Sequence, residues 1–243
     1  MELSIKSDRL KEIINMVSTI VTETRLTLNE DEFRIRAVDE SHVAMVDVSL
    51  STKGFERYDV NEENVIGLNL DKISQFLKLV GSGETIDLSK DGEKLTIEHD
   101  TLTQRIPLLD TESMSEPNIP DLDLPTEIKA EASYIKTGIK AASGVSDNVL
   151  IKANEDKFKM EAEEDQDEVD LVVYADEFGQ YEIGEEVESL FALDKLKNMV
   201  SSVSSKAPIF LRLGVDYSIE IEYRFAEGHG QALMLLAPRV VNE

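Results

Sequence analysis

The chain writes one short stretch twice: residues 29 to 37 read NEDEFRIRA, and 125 residues later 154 to 162 read NEDKFKMEA. Other matches keep the same order and nearly the same offset. Tyr58, Glu62 and Glu63 find Tyr181, Glu185 and Glu186; LDK at 70 to 72 finds LDK at 193 to 195; and QRIPLL at 104 to 109 finds QALMLL at 231 to 236. Each match is short, but a common offset of 123 to 127 residues marks a duplication, so a fold that is built only once is excluded.

Helical periodicity divides the chain again. Apolar or small residues fall at i, i+3, i+4 and i+7 in four places: Leu10, Ile13, Ile14, Val17; Ile73, Phe76, Leu77, Val80; Ile135, Gly138, Ile139, Ala142; and Leu196, Met199, Val200, Val203. Their starts lie 63, 62 and 61 residues apart, which gives four units of nearly equal length, each with one short amphipathic helix. Elsewhere the pattern alternates, as in Ile219, Ile221, Tyr223, Phe225, the period of half-buried antiparallel strands. One unit therefore reads as a strand, a helix from Asp8, then strands near Arg25 to Leu28, Phe33 to Val38 and His42 to Leu50.

Two such units make one domain, with two helices on one face of a sheet, an α+β arrangement. The expected domains are residues 1 to 109 and 128 to 243, joined by a connector at 110 to 127. In that connector Pro117, Pro120 and Pro125 forbid a central strand and favour extended backbone. Ile119, Leu122 and Leu124 are unusual in a segment that only spans a gap, and they point to docking.

Charge narrows the function. With 25 basic and 50 acidic residues the formal net is −25, which taken alone argues against nucleic acid and for a hydrated, self-repelling surface such as a salt-loving source would need. The four helical segments (8 to 20, 70 to 80, 133 to 143 and 193 to 206) nevertheless carry +5 together, leaving −30 for the rest. On a helical wheel Lys11, Lys78, Lys136, Lys140 and Lys197 lie away from the apolar stripe, so weak positive faces add on one side of an acidic molecule.

Several chemistries are excluded by what the chain lacks. It has no cysteine, and its three histidines, His42, His99 and His229, are far apart, so no zinc site is expected and no metal or cofactor is called for. The acidic run at 163 to 168 lacks the glycine and spacing of a calcium loop. GSGE at 81 to 84 follows a helix rather than preceding one and reads as a helix stop. No spacing singles out a catalytic carboxylate pair, so a hydrolase is disfavoured, and a duplicated acidic scaffold would not by itself explain the lysines on like-facing helices. No run of residues approaches a membrane span, and the charged start MELSIKSDRLKE is no secretory signal; a cytoplasmic protein that avoids membranes is expected.

The segments IRAVDESHVAMVDVSL (35 to 50), GFERYDV, IGLNLDKISQFLKLV (66 to 80) and LLAPRV (235 to 240) resemble the proliferating cell nuclear antigen family of archaeal and eukaryotic sliding clamps, and the resemblance runs end to end. It implies the DNA clamp fold, a head-to-tail homotrimeric ring through which duplex DNA passes, and no catalysis. It also implies that the helices line the hole, so Arg9, Lys72 and Lys206 join the five lysines above as DNA-facing residues. At the subunit interface, the resemblance sets Arg105 and Leu108 near one edge strand against Glu168, Asp170 and Leu171 on the neighbour's. Polymerase, clamp loader, flap endonuclease and ligase would dock by short motifs in an apolar pocket. That pocket would take Val38, His42, Val43 and Met45 from a central loop, Ile119, Pro120, Leu122 and Leu124 from the connector, and Leu235, Ala237, Pro238 and Arg239 from the C-terminal segment.

Overall fold

The computed structural model describes residues 1–112, 114 and 116–239. Ser113 and Ser115 of the connector, and Val240 of the LLAPRV segment, lie outside them. The four sequence units appear as four element sets. The first is β1 (Glu2–Lys6), α1 (Ser7–Ser18), β2 (Glu23–Leu28), β3 (Glu32–Val38), β4 (Ala44–Ser51) and the short β5 (Arg57–Asp59). The second is β6 (Asn64–Asn69), α2 (Leu70–Leu77), β7 (Thr85–Asp91), β8 (Lys94–His99) and β9 (Leu102–Pro107). The third repeats the first, with β10 (Thr126–Glu131), α3 (Ala132–Ala142), β11 (Asn148–Ala153), β12 (Lys157–Glu164), β13 (Asp167–Tyr174) and β14 (Gln180–Glu182). The fourth is β15 (Val187–Ala192), α4 (Leu193–Ser201), β16 (Pro208–Leu213), β17 (Ile219–Phe225) and β18 (Gly230–Leu236).

Two compact units result, one holding Met1–Glu40, Val46–Asn118 and Arg224–Ala232, the other Ser41–Met45, Ile119–Tyr223 and the residues from Leu233 on. Each is built by exchange. In the first, β1 keeps only the short β5 from its own set and takes its long pairing from β7, while β6 joins β2. In the second, β10 pairs with β16 and β15 with β11. The strand orders are β5-β1-β7-β8-β9 and β4-β3-β2-β6 in the first unit, and β14-β10-β16-β17-β18 and β13-β12-β11-β15 in the second. A single sheet per domain, as the sequence suggested, is therefore replaced by two antiparallel arrays that share strands reciprocally.

The echoed NED turn has a physical cause. Asn29 Oδ1 accepts from the backbone N–H of Asp31 and Glu32 at 2.8 and 3.0 Å, and Asn154 does the same for Asp156 and Lys157 at 3.1 Å each. This Asx geometry closes the hairpins β2–β3 and β11–β12. Each turn is then pinned by a tyrosine: Tyr58 Oη donates to the Asn29 carbonyl and Tyr181 Oη to that of Asn154, both at 2.8 Å. Burial pushes both hydroxyls up to about 12. Both therefore stay neutral where free tyrosine ionises, and their contribution to stability is lost as pH rises from about 10 through that value.

Beneath the turns the cores correspond. Phe33 and Phe158, 125 positions apart, are 1% and 0% exposed and lie 6.0 and 6.2 Å from Phe55 and Phe178 respectively. Helices pair side by side within each unit, α1 with α2 and α3 with α4. The α3 helix sits close on its sheet because residue 138 is glycine: a Cβ there would meet Met160 Sδ at 2.4 Å and a Leu171 methyl at 3.2 Å. No helix among the described residues is long and apolar enough to cross a membrane.

Two helix ends differ from the periodic reading. The α2 helix stops at Leu77 and α4 at Ser201, so Val80 and Val203 are buried by the turns that follow rather than by helix. Lys206 accordingly stands on the turn before β16, not on the helix layer. The extra apolar position at i+7 is supplied by a chain that has already left the helix.

Candidate functional site

Three sequence-derived groups can be followed. The first is the docking pocket. In the second unit a hollow of 390 Å³ is lined by Ser41, Val43, Ala192, Asp194, Lys195, Leu236, Ala237, Pro238 and Arg239. The backbone holds this shape. Ala237 N–H donates to the Val43 carbonyl at 2.8 Å, and Arg239 N–H to the Leu190 carbonyl at 2.7 Å, so residues 237 to 239 run between the loop before β4 and strand β15. His42, just before Val43, has a left-handed backbone (φ 57°), which turns the loop outward and leaves Val43 36% exposed.

The structure thus brings together Val43, Ala237, Pro238 and Arg239. His42 is exposed beside them, while Met45 and Leu235 are 7% and 4% exposed and belong to the core. Val38 lines a separate hollow in the first unit. In the connector, Ile119, Leu122 and Leu124 are half-buried and Pro120 is exposed; a Leu124 methyl lies 3.3 Å from where a Cβ of Gly214 would stand. Sequence reasoning missed Ala192, Asp194 and Lys195, although the LDK echo at 193 to 195 had marked that strand-to-helix junction.

The second group is the basic helix residues. Lys136, Lys140 and Lys197 line one groove of 280 Å³ between α3 and α4, with Ile139 and Val200 in its walls and Ser143 and Ser201 beside them. Lys136 does more than face it: its Nζ donates to the Ser201 carbonyl at 3.3 Å and to the Val203 carbonyl. Lys11 makes the equivalent tie, from α1 to the Val80 carbonyl after α2, at 2.6 Å. Amines at the C-terminal carbonyls of a helix are favourably placed against its dipole. Burial pushes the Lys136 amine below its usual value. Arg9 is committed too, donating to the Gly54 carbonyl at 2.9 Å and facing Glu56 at 3.5 Å. Lys72, Lys78, Lys140, Lys197 and Lys206 are exposed.

The third group is the strand edges. β9 and β13 end their arrays, each with one side unpaired by the described strands. Arg105, on β9, is exposed and Leu108, just beyond it, is half-buried; on β13, Glu168 and Asp170 are exposed and Leu171 is half-buried. Asp170 is already matched within the chain, 2.9 Å from Lys159. Lys159 and Lys152 also flank Glu161, and although burial works against it they hold that carboxyl below the usual range. No group of three or more His, Cys, Asp or Glu among the described residues could hold a metal ion.

Against known proteins, residues 2–110 match the family model described as proliferating cell nuclear antigen, N-terminal domain. A DNA polymerase sliding clamp of Natronomonas pharaonis is 35% identical over 244 residues, covering 98% of each chain. Another, from Haloarcula marismortui, is 34% identical with the same coverage. Among solved structures, the A. fulgidus PCNA bound to the C-terminal region of FEN-1 superposes with a TM-score of 0.94 at 28% identity, over 100% of this chain and 99% of that one. Full-length likeness in sequence and in backbone, on a chain whose halves and quarters repeat as described, settles its membership: this chain belongs to the proliferating cell nuclear antigen family, with the DNA clamp fold and DNA polymerase sliding clamps as its relatives.

Proposed function

We propose that three copies of this chain close head to tail into a ring around duplex DNA, where it serves as a polymerase processivity factor in the cytoplasm. The observation that carries this reading is the convergence of Lys136, Lys140 and Lys197 in the α3–α4 groove of a chain whose net charge is −25. The action is topological and catalyses no reaction. A closed ring cannot leave sideways, so a few exposed lysines making sequence-blind phosphate contacts suffice, and stronger contacts would slow sliding. The reading takes residues 1–109 and 128–243 as the two clamp domains and 110–127 as their connector.

A closed ring also gives the unpaired edges β9 and β13 a partner, since each copy's β9 would meet β13 of the next. Light scattering at molar salt should give three times the 27.2 kDa protomer mass. Near 0.1 M, where a charge is felt out to about 10 Å rather than about 3 Å, acidic repulsion should weaken the assembly. Arg105→Glu sets another acid against the exposed Glu168 edge and should dissociate the ring at salt concentrations the parent tolerates; an unchanged trimer would remove charge from the account of assembly. A monomer at every salt would remove the ring.

Clients of the polymerase, clamp-loader, flap-endonuclease and ligase classes would dock by short apolar motifs in the hollow at Val43 and Pro238. The A. fulgidus relative carries a FEN-1 segment, which supports this mode for the family. Val43→Asp places a charge on the exposed apolar wall and should weaken an aromatic-bearing docking peptide at least tenfold, about 1.4 kcal/mol, in a fluorescence anisotropy titration. Unaltered affinity would move the docking site elsewhere.

A further inference from the structure

The last ladder pair at one end of β2–β3 is Leu26 with Ile35. Beyond that pair the registered ladder stops, and Arg25 and Arg36 both line one hollow there. Like charges lining one hollow repel unless something negative lies near them. Arg36 has that compensation: Asp47 lies 3.4 Å and Glu116 3.7 Å away, and its guanidinium donates to the Pro117 carbonyl at 3.1 Å. Arg25 has none. No carboxylate among the described residues forms an ion pair with it, and its Nε–H is buried without a hydrogen-bond partner, as is the Nε–H of Arg36.

The neighbourhood explains why no acid of the chain fills the gap. On its other side Arg25 is registered with Gly67, which has no side chain to offer. Glu23 stands on the same rim but takes a hydrogen bond from Asn69 at 3.4 Å. Other half-buried arginines are matched: Arg9 by Glu56, Arg34 by Asp47, Arg212 by Glu127. In a chain with 50 acidic residues, an unmatched and partly buried guanidinium is out of keeping with the rest. Unsatisfied buried N–H groups are costly, and here there are two, both beside one hollow of 240 Å³ shared with Val38, Met114 and Pro117.

We propose that this hollow is a carboxylate-binding site, with Arg25 as the principal donor and Arg36 as the second. The planar guanidinium fork suits a carboxylate, and Val38 and Met114 give its methyl or methylene stem an apolar wall. At about 30 Å³ per water molecule the hollow has room for such a group with a few waters. A single negative charge also meets less repulsion from a chain of net −25 than a phosphate dianion would. The carboxylate can come from a free small molecule or from a glutamate or aspartate side chain of a bound protein.

The test is a titration of the full-length ¹⁵N-labelled protein, following arginine Nε–H signals, with sodium acetate and separately with N-acetylglutamate amide at ionic strength held constant by sodium chloride. The Arg25 signal, assigned by its loss in Arg25→Lys, should move saturably with both probes, and the midpoint should rise at least fivefold in Arg36→Gln. Tighter binding of the glutamate amide than of acetate supports a protein side chain as the ligand, and the reverse supports a free carboxylate. A wild-type spectrum in which no arginine Nε–H moves saturably with either probe overturns the site, whether or not the variants fold well. An equal response to chloride alone overturns its assignment to carboxylate.

Discussion

Phe158→Ala should lower the stability of the second unit by about 3 to 5 kcal/mol, the range for deleting a fully buried aromatic ring and leaving a cavity. Phe158 is 0% exposed on β12, and its ring meets Phe178, which in turn stacks on Tyr181 at 5.2 Å. Losing it therefore loosens the clasp that holds the Asn154 turn as well as the core. Phe33→Ala should cost the first unit about as much, because the same contacts recur there with Phe55 and Tyr58. Guanidinium unfolding followed by tyrosine fluorescence measures both. A loss below about 1 kcal/mol in either variant would mean that the site collapses around the gap and that the two cores are not equivalent in packing.

Arg212→Gln should cost about 2 to 3 kcal/mol at low ionic strength, because it leaves several carboxylates facing one another with no cation between them. Arg212 lies 2.6 Å from Glu127 and 3.1 Å from Glu222, and also pairs with Glu220. The register puts Glu127 and Glu220 directly across from it on the two flanking strands, β10 and β17. At 29% side-chain exposure the cluster is partly screened by solvent, which keeps the expected loss below that of a fully buried pair. Molar salt, where the Debye length falls to about 3 Å, should restore the variant. Thermal melts of parent and variant across salt concentration would show it. A deficit that persists unchanged at molar salt would assign the role of Arg212 to packing.

Much of this was legible in the sequence for local reasons. The Asn-Glu-Asp turn, the period-2 strands and the i, i+3, i+4 stripes are fixed by residues close together in the chain, and the echo between halves exposed the duplication. What periodicity cannot show is which strands pair. Nothing in the alternation of β1 says that its neighbour is β7, some 80 residues on, rather than β2. The same blindness divided the docking set. Val43 and Met45 are two residues apart and look alike in the sequence, yet Met45 lies within β4, whose first five residues are all buried, while Val43 precedes that strand and the left-handed residue before it turns its side chain out. Ala192, Asp194 and Lys195 were missed because their nearness to Pro238 is a long-range fact. Lys11 and Lys136 read as surface cations; only the turn after the partner helix shows that their amines hold helix ends together.

The exchange of first strands also bears on how the chain is made. As it leaves the ribosome, β1 has no long partner until β7 has emerged, and the β2–β4 array lacks its fourth member until β6 has followed. A quarter of the chain is thus not a foldable object, and the earliest nascent product with no dangling strand is a whole half. Synthesis at about 5 to 20 residues per second takes seconds to deliver β7, longer than such closure itself needs, so the edge stays vacant while it waits, and a quarter released early would offer that edge to the matching edge of another copy. The duplication that makes the molecule simple to describe obliges its synthesis to proceed in halves.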